Sequence, residues 1–316
     1  MKIRDLAAHP QEEITGFFLV QQKDIRSNKN GEGYLSLILG DETGAIDARV
    51  WDNLETIPDF AAGVVIKVKG RVQAHRGRNQ LSVIQLRLAK SDEASPGDFL
   101  PKSTRDPAEM FRELLGIIAG VANPHLRGLL ERVFADPDIA ARFQQAPAAK
   151  SMHHAFRGGL LEHVLSLCGM AELAASHYRW VRRDLLLTGA ILHDIGKIRE
   201  LGYDSSFFYT NEGQLVGHLV GGLEMVREKM GPGFPETYRI LVEHMILSHH
   251  GHLEFGSPKE PMFPEALLLH YIDDLDSKME AMRAILASTP DQEWSARIPA
   301  LDRSLLNLDV FLKDVK

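Results

Sequence analysis

The chain has 316 residues and only one cysteine, Cys168, so no internal disulfide can form and a disulfide-stapled scaffold is excluded. Cys168 sits in an apolar helical stretch and reads as a small buried hydrophobe. No apolar run approaches the length of a membrane span. The stretch MKIRDLAAHPQEE has no apolar core of the signal-peptide kind. Long internal repeats and low-complexity segments are also missing, which removes repeat architectures. The expectation is a cytoplasmic protein with no membrane partner. What is present is ordinary for a globular chain, with 44% apolar and 25% charged residues. The length suits two domains or one large one.

The net charge of −7 is unevenly spread. Residues 1–90 hold 13 Lys and Arg against 11 Asp and Glu, whereas the rest of the chain holds 23 against 32. Of the 14 histidines, 12 follow residue 90. A mildly basic part followed by an acidic, histidine-rich part predicts two different jobs.

Residues 1–90 read as strands. ITGFFLVQQKDI (14–25), EGYLSLILGD (32–41), AIDARVW (45–51), VVIKVKGRVQAH (64–75) and NQLSVIQLRLA (79–89) alternate wholly or in part, with Asn30-Gly31, Thr43-Gly44 and Arg76-Gly77-Arg78-Asn79 as turns. Residues 52–63 have room for a short helix after the third strand. Five strands with that connection have the order of an OB-fold barrel. Residues 91–107 lack a hydrophobic period and read as an exposed linker. Residues 108–316 carry apolar side chains at three- and four-residue spacing and read as helices, with a core at about 153–286.

Several of these helices bring an imidazole or carboxylate into apolar surroundings. His163 lies inside GGLLEHV, His193 and Asp194 close AILHD, His218 opens a helix, His249 and His250 close another, and Asp273 lies in YIDDLDSK. A buried carboxylate is costly unless paired, and a metal ion would resolve that cost. Imidazole and carboxylate together suit zinc, manganese, iron or nickel, while carboxylates and water alone suit magnesium. His218, His249 and His250 matter as ligands only if a second ion binds. His125, His177 and His244 read as ordinary core or surface histidines, and His252 as a loop residue.

The ordered H…HD…D pattern of His163, His193, Asp194 and Asp273 resembles the HD superfamily of metal-dependent phosphohydrolases. His218 with His249 and His250 is similar to the extra ligands of members that bind two ions. An OB part ahead of an HD part, with HHAFRGGLLEHV, YTNEGQLVGH and HYIDDLDSKM, resembles the YhaM-type 3′→5′ exoribonucleases over nearly the whole chain. The resemblance implies a two-domain fold, an all-β OB-fold barrel plus an all-α HD helical bundle. It implies removal of nucleoside 5′-monophosphates from the 3′ end of single-stranded RNA or DNA. One or two divalent ions are implied, manganese first, with iron, nickel, zinc, cobalt or magnesium as alternatives, and a homo-oligomer as a further expectation. The GYP signature that follows the double histidine in cyclic-di-GMP phosphodiesterases is replaced here by GHLEFGSP (251–258). The rival reading is a phosphohydrolase for a small nucleotide, either a cyclic nucleotide, a dNTP or a guanosine polyphosphate.

In this scheme Asp194 is expected to bridge two ions. Lys197 either donates to the phosphate or leaving oxygen or is a solvated helix-end lysine. Arg157 and Lys278 are candidate phosphate contacts, and His154, His270 and Asp276 are candidates for orienting the ligands. On the barrel, one basic loop holds Lys23, Arg26, Lys29 and Tyr34, and the other holds His75, Arg76 and Arg78. Such loops, with Trp51 as a possible stacking platform, are what OB-folds use on oligonucleotides. Phe17 reads as core.

Overall fold

Alternating apolar and polar residues turn successive side chains of a strand to opposite faces, and that pattern organises the first part of the chain. The structure, a computed structural model, describes residues 2–8, 12–28, 30–52, 54–75, 78–151, 154–313 and 315. Two compact units result, residues 1–102 with 203–207 and residues 103–202 with 208–316.

In the first unit β1 (Glu13–Ser27), β2 (Gly33–Asp41), β3 (Gly44–Val50), β4 (Val65–His75) and β5 (Arg78–Leu88) form a closed barrel in the order β1-β2-β3-β5-β4. Every pairing is antiparallel except β3 with β5, which run parallel over Asp47–Val50 and Gln80–Val83. This is the OB-fold. Phe18, Leu37, Leu39, Ile66, Val68 and Leu81 fill the interior, each stabilising the fold by about 1.5–3 kcal/mol relative to exposure. The β4–β5 register slips at Lys69/Gly70. A Cβ on Gly70 would lie 2.5 Å from the Ser82 carbonyl oxygen, so the bulge needs glycine there. The helix expected in 52–63 is one 3-10 turn, Leu54–Thr56.

The segment read as an exposed linker is largely exposed, with Leu100 as its buried exception. Leu100 is buried against Leu19 and Val65. Arg87 donates both Nη1 and Nη2 to Glu93 at 2.7 and 2.6 Å, and Lys102 pairs with Glu42 at 2.9 Å. The segment has no hydrophobic period because isolated apolar side chains, not a periodic face, fix it to the barrel.

The second unit is helical. Its elements are α1 (Pro107–Ala119), α2 (Pro124–Phe134), α3 (Pro137–Phe143), α4 (Gly159–His177), α5 (Arg183–Leu192), α6 (Lys197–Glu200), β6 (Leu201–Gly202), β7 (Phe208–Tyr209), α7 (Asn211–Leu215), α8 (His218–Lys229), α9 (Glu236–Ser248), α10 (Pro264–Ser288) and α11 (Leu308–Phe311). Asp106, Asn123 and Asp136 cap α1, α2 and α3 through their side-chain oxygens, each followed by proline at the first helical position. Such caps are worth about 1 kcal/mol each. From Leu185 to Leu192 every residue of α5 is buried. It is the central helix, and it delivers His193 and Asp194 into the interior. The sequence pattern carries this helix on to Lys197, but it stops at Leu192 and resumes as α6. The hairpin of β6 and β7 also breaks the all-helical expectation, since two-residue strands leave no alternation to read. Among the described residues no helix is long and apolar enough to cross a membrane.

Candidate metal centre

Four helix ends and two helix interiors supply the site. His163 lies in α4, and Asp273 and Asp276 lie in α10. His193 and Asp194 follow α5, Lys197 opens α6, His218 opens α8, and His249 and His250 follow α9. On one side of Asp194, His163 Nε2 is 3.4 Å from His193 Nε2 and 3.2 Å from Asp273 Oδ1. Asp194 Oδ2 is 3.3 Å from His193 Nε2 and 3.9 Å from His163 Nε2. On the other side, Asp194 Oδ1 is 3.5 Å from both His218 Nε2 and His249 Nε2, and His218 Nε2 is 3.2 Å from His250 Nε2. Each carboxylate oxygen of Asp194 therefore faces its own cluster.

The outer nitrogens of the five imidazoles all meet acceptors. Nδ1 of His193, His249 and His250 faces the carbonyl oxygens of Ala190, Ile246 and Phe255 at 3.0, 2.8 and 3.1 Å. Nδ1 of His163 faces Asp276 Oδ2 at 2.8 Å, and Nδ1 of His218 faces Glu200 Oε1 at 2.9 Å. An acceptor at Nδ1 places the proton there and leaves the Nε2 lone pair turned inward. Asp276 is itself held by Ser166 Oγ and by His154 Nε2 at 3.0 Å. His270 Nδ1 donates to the His249 carbonyl at 2.9 Å.

Burial and charge oppose each other throughout. Burial raises the Asp194 carboxyl, but Lys197 and His193 outweigh it and hold it well below the usual range. Asp273 and Asp276 are likewise lowered against burial, Asp273 by His163 and His193, Asp276 by His154 and His163. Burial lowers His163, yet Asp273 and Asp276 push it up to about 9. His249 has fewer carboxylates near it, and burial brings it down to about 4. Burial pulls the Lys197 ammonium down, while Asp194 and Asp273 more than offset this, so it stays charged.

The donor set fits divalent metal ions. Both Asp194 oxygens are buried and receive no hydrogen bond of good geometry, although Lys197 Nζ lies 2.5 Å from Oδ2. Inward-facing Nε2 atoms at 3.2 and 3.4 Å need a proton or a metal ion between them, and a metal ion can serve several of them at once. His163, His193 and Asp273 have ligand atoms within 4.8 Å of one another, as do His218, His249 and His250. Gly196 sets how α6 approaches α8. A Cβ there would lie 2.1 Å from the His218 carbonyl oxygen and 2.6 Å from Gly222 N.

All seven residues singled out as ligands in the sequence come together here. Lys197 is largely buried beside Asp194 at the first residue of α6, not solvated at a helix C-terminus. Glu200 and Ser166 escaped the sequence reading, because one acidic or hydroxyl residue on a helix carries no spacing signal. Two expected phosphate contacts are engaged elsewhere. Arg157 Nη2 donates to Gln145 Oε1 at 2.8 Å, and Lys278 pairs with Asp274 at 2.7 Å on the exposed side of α10.

On the barrel, Trp51 is 45% exposed and its ring lies 4.5 Å from that of Tyr34, the cross-strand neighbour of Arg26. Arg26 is half exposed and bonds locally, to Asp24 at 3.0 Å. Lys23 departs from its expected role. It is largely buried, donates to Asp59 and to the Phe60 carbonyl at 2.9 and 2.7 Å, and lies over the Phe60 ring. Phe17 is partly buried, packed beside Leu19 and Val65. Lys29 and Arg76 lie outside the described residues, as do the side chains of His75 and Arg78.

A buried double cluster of imidazoles and carboxylates on a helical unit, in a chain that also carries an OB barrel, defines an HD-type metal protein with a nucleic-acid-binding module. Residues 160–278 match the HD domain family, and residues 20–89 match the OB-fold nucleic acid binding domain family of the tRNA anticodon type. The chain is 38% identical to the 3′-5′ exoribonuclease YhaM of Bacillus velezensis, over 92% of this chain and 93% of that one. It is 36% identical to the protein of the same name from Bacillus subtilis, with the same coverage. The chain belongs to the YhaM exoribonuclease family. Among solved structures, the second OB-fold domain of replication protein A from Methanococcus maripaludis aligns with a TM-score of 0.24 and 25% identity, covering 29% of this chain and 95% of that one.

Proposed function

We propose that the protein is a metal-dependent 3′→5′ exoribonuclease that releases nucleoside 5′-monophosphates from single-stranded RNA. The observation that carries this is Asp194, whose two buried oxygens each face a separate cluster of inward-turned imidazoles. His163, His193, Asp194 and Asp273 would hold one divalent ion, and His218, His249 and His250 a second that shares Asp194. Manganese is the proposed metal. A bound divalent ion supplies hydroxide near neutral pH and neutralises charge on the phosphate.

The chain's own groups do the rest. Asp194 keeps its negative charge at the centre of the site, held ionised by Lys197 and the histidines. Lys197 has ammonium hydrogens left for a non-bridging phosphate oxygen entering beside Asp194. It can also donate to the oxygen that leaves when the P–O3′ bond breaks. Asp276 and Glu200 fix the ring orientation of His163 and His218, so these ligands need little reorganisation when substrate enters. The Trp51–Tyr34 pair offers a face on which bases can stack, and Arg26 a charge for the backbone. The 3′ polarity and the RNA substrate come with the family. A cytoplasmic location and a homo-oligomer belong to the same reading, with single-stranded DNA as a further substrate.

End-labelled single-stranded RNA incubated with manganese should be shortened stepwise from its 3′ end. Asp194→Asn should be folded and inactive. Phosphate release from mononucleotides with no laddering of RNA would instead favour a small-nucleotide hydrolase.

A further inference from the structure

The two histidines that close the second cluster are flanked by exposed apolar side chains. Three residues after His250 comes Leu253, 64% exposed, and then Phe255, 61% exposed. Three residues before His218 comes Leu215, 86% exposed, followed by Val216 at 47%. Single exposed apolar residues need no explanation. Here, however, four sit on the two segments joined by the 3.2 Å approach of His218 Nε2 to His250 Nε2.

The segment carrying Phe255 is fixed in place. Its carbonyl accepts from His250 Nδ1 at 3.1 Å. Leu253–Phe255 is a 3-10 turn, with Phe255 N bonded to His252 O at 3.1 Å and Gly256 N to Leu253 O at 3.0 Å. Gly251 and Gly256 take positive φ of 81° and 88°, and a Cβ on Gly251 would lie 2.2 Å from the His270 ring. The buried Ser257 hydroxyl bonds the Leu247 carbonyl at 3.0 Å. The fold thus holds a largely exposed aromatic ring, with the His252 ring edge-on to it at 5.4 Å, on the residue whose backbone orients a candidate metal ligand.

We propose that Phe255, with Leu253 beside it and Leu215 and Val216 on the segment leading into His218, grips the nucleobases at the 3′ end of the strand. This rests on the exoribonuclease reading above. Lys197 and the metal ions the site would hold serve the phosphate and leave the 3′-terminal bases without a partner in the helical unit. Every base has a π-face, so an aromatic side chain can stack on it without reading sequence. A rigid platform also loses little conformational entropy on binding.

The test compares wild type and Phe255→Ala on a single-stranded oligoribonucleotide and on the same strand with abasic 3′-terminal residues. Wild type should be slower on the abasic strand by about tenfold to a hundredfold, the range of one lost stacking contact. Phe255→Ala should be slowed by a similar factor on the intact strand and lose little more on the abasic one. Phe255→Trp should restore the discrimination. Metal content should be unchanged in Phe255→Ala, because the group that holds His250 is a main-chain carbonyl. A wild type indifferent to base removal overturns the proposal, as does Phe255→Ala at wild-type rate on the intact strand. An equal loss on both strands also overturns it, since that marks a structural role. A wild type inert on both strands overturns the exoribonuclease reading itself.

Discussion

Replacing Asp276 by asparagine removes one charge and almost no volume, at a residue that accepts from two imidazoles. Asp276 Oδ2 takes bonds from His163 Nδ1 at 2.8 Å and His154 Nε2 at 3.0 Å, and Oδ1 takes one from Ser166. If the asparagine oxygen keeps the Oδ2 position, its amide faces the Ser166 hydroxyl, which can accept, so the geometry survives. Bonds to a charged group contribute about 1.5–3 kcal/mol and neutral ones about 0.5–1.5 kcal/mol. The loss at His163 is then about 1–1.5 kcal/mol, or roughly five- to fifteenfold in metal affinity. If the amide points the other way, it opposes the His163 N–H and frees the ring to turn, and the loss approaches the roughly hundredfold limit for groups behind a ligand. The assay is a manganese titration read by calorimetry and by activity. Affinity should fall within this range, and turnover at saturating manganese should stay within a few-fold of wild type. Unchanged affinity would refute the role given to this bond. Complete inactivity at every manganese concentration would refute it in another way, by putting Asp276 into the chemistry.

Other expectations follow from the same geometry. His218→Ala should lower bound metal from about two ions to about one and cut activity strongly, since it removes a lone pair facing Asp194 Oδ1; unchanged stoichiometry by metal analysis would show a mononuclear site. Trp51→Ala should weaken single-strand binding by about 1–3 kcal/mol per lost stack and leave melting nearly unchanged. Lys23→Met should do the reverse, lowering stability by about 1–3 kcal/mol by leaving the Phe60 carbonyl unpaired, with strand affinity measured by anisotropy close to wild type. Glu42 is held at about 2, below its ordinary value of 4.5, by Lys102 and Lys2. Its contribution to barrel stability is therefore present above pH 4.5 and lost as pH falls toward 2. Glu42→Gln should melt lower at neutral pH by no more than about 1 kcal/mol, because both lysines are half exposed, and should converge with wild type in acid.

The proposed ligands were legible because they recur in an ordered H…HD…D pattern on successive helices, where a lone histidine such as His244 reads as ordinary core. The barrel was legible because alternation and turn residues agree along five successive strands. What supports the ligands was legible only in part. Asp276 could be placed beside Asp273 from helical spacing, but no pattern in the chain links Glu200 to His218 or Ser166 to Asp276. Those contacts join separate helices. The basic residues misled for a related reason. Lys23, Arg157 and Lys278 look alike as charges in a sequence, yet one is largely buried against Phe60 and the other two are engaged by Gln145 and Asp274. A cation's availability depends on its neighbours in space, which composition does not report.

Gly196 changes how the stretch HDIGK should be understood. Its backbone is ordinary right-handed helix, with φ −63° and ψ −19°, so any amino acid could adopt that conformation. The requirement for glycine comes entirely from the His218 carbonyl and Gly222 N of another helix, which occupy the space a methyl would need. Five consecutive letters that pass for a local signature thus store a message about a distant partner. The glycine records that α8 must come close enough for its first residue to share a carboxylate with the residues just ahead of it. A chain that kept the histidine and aspartate but put alanine at 196 would still look like the motif to the eye, while holding α8, and His218 with it, away from the carboxylate.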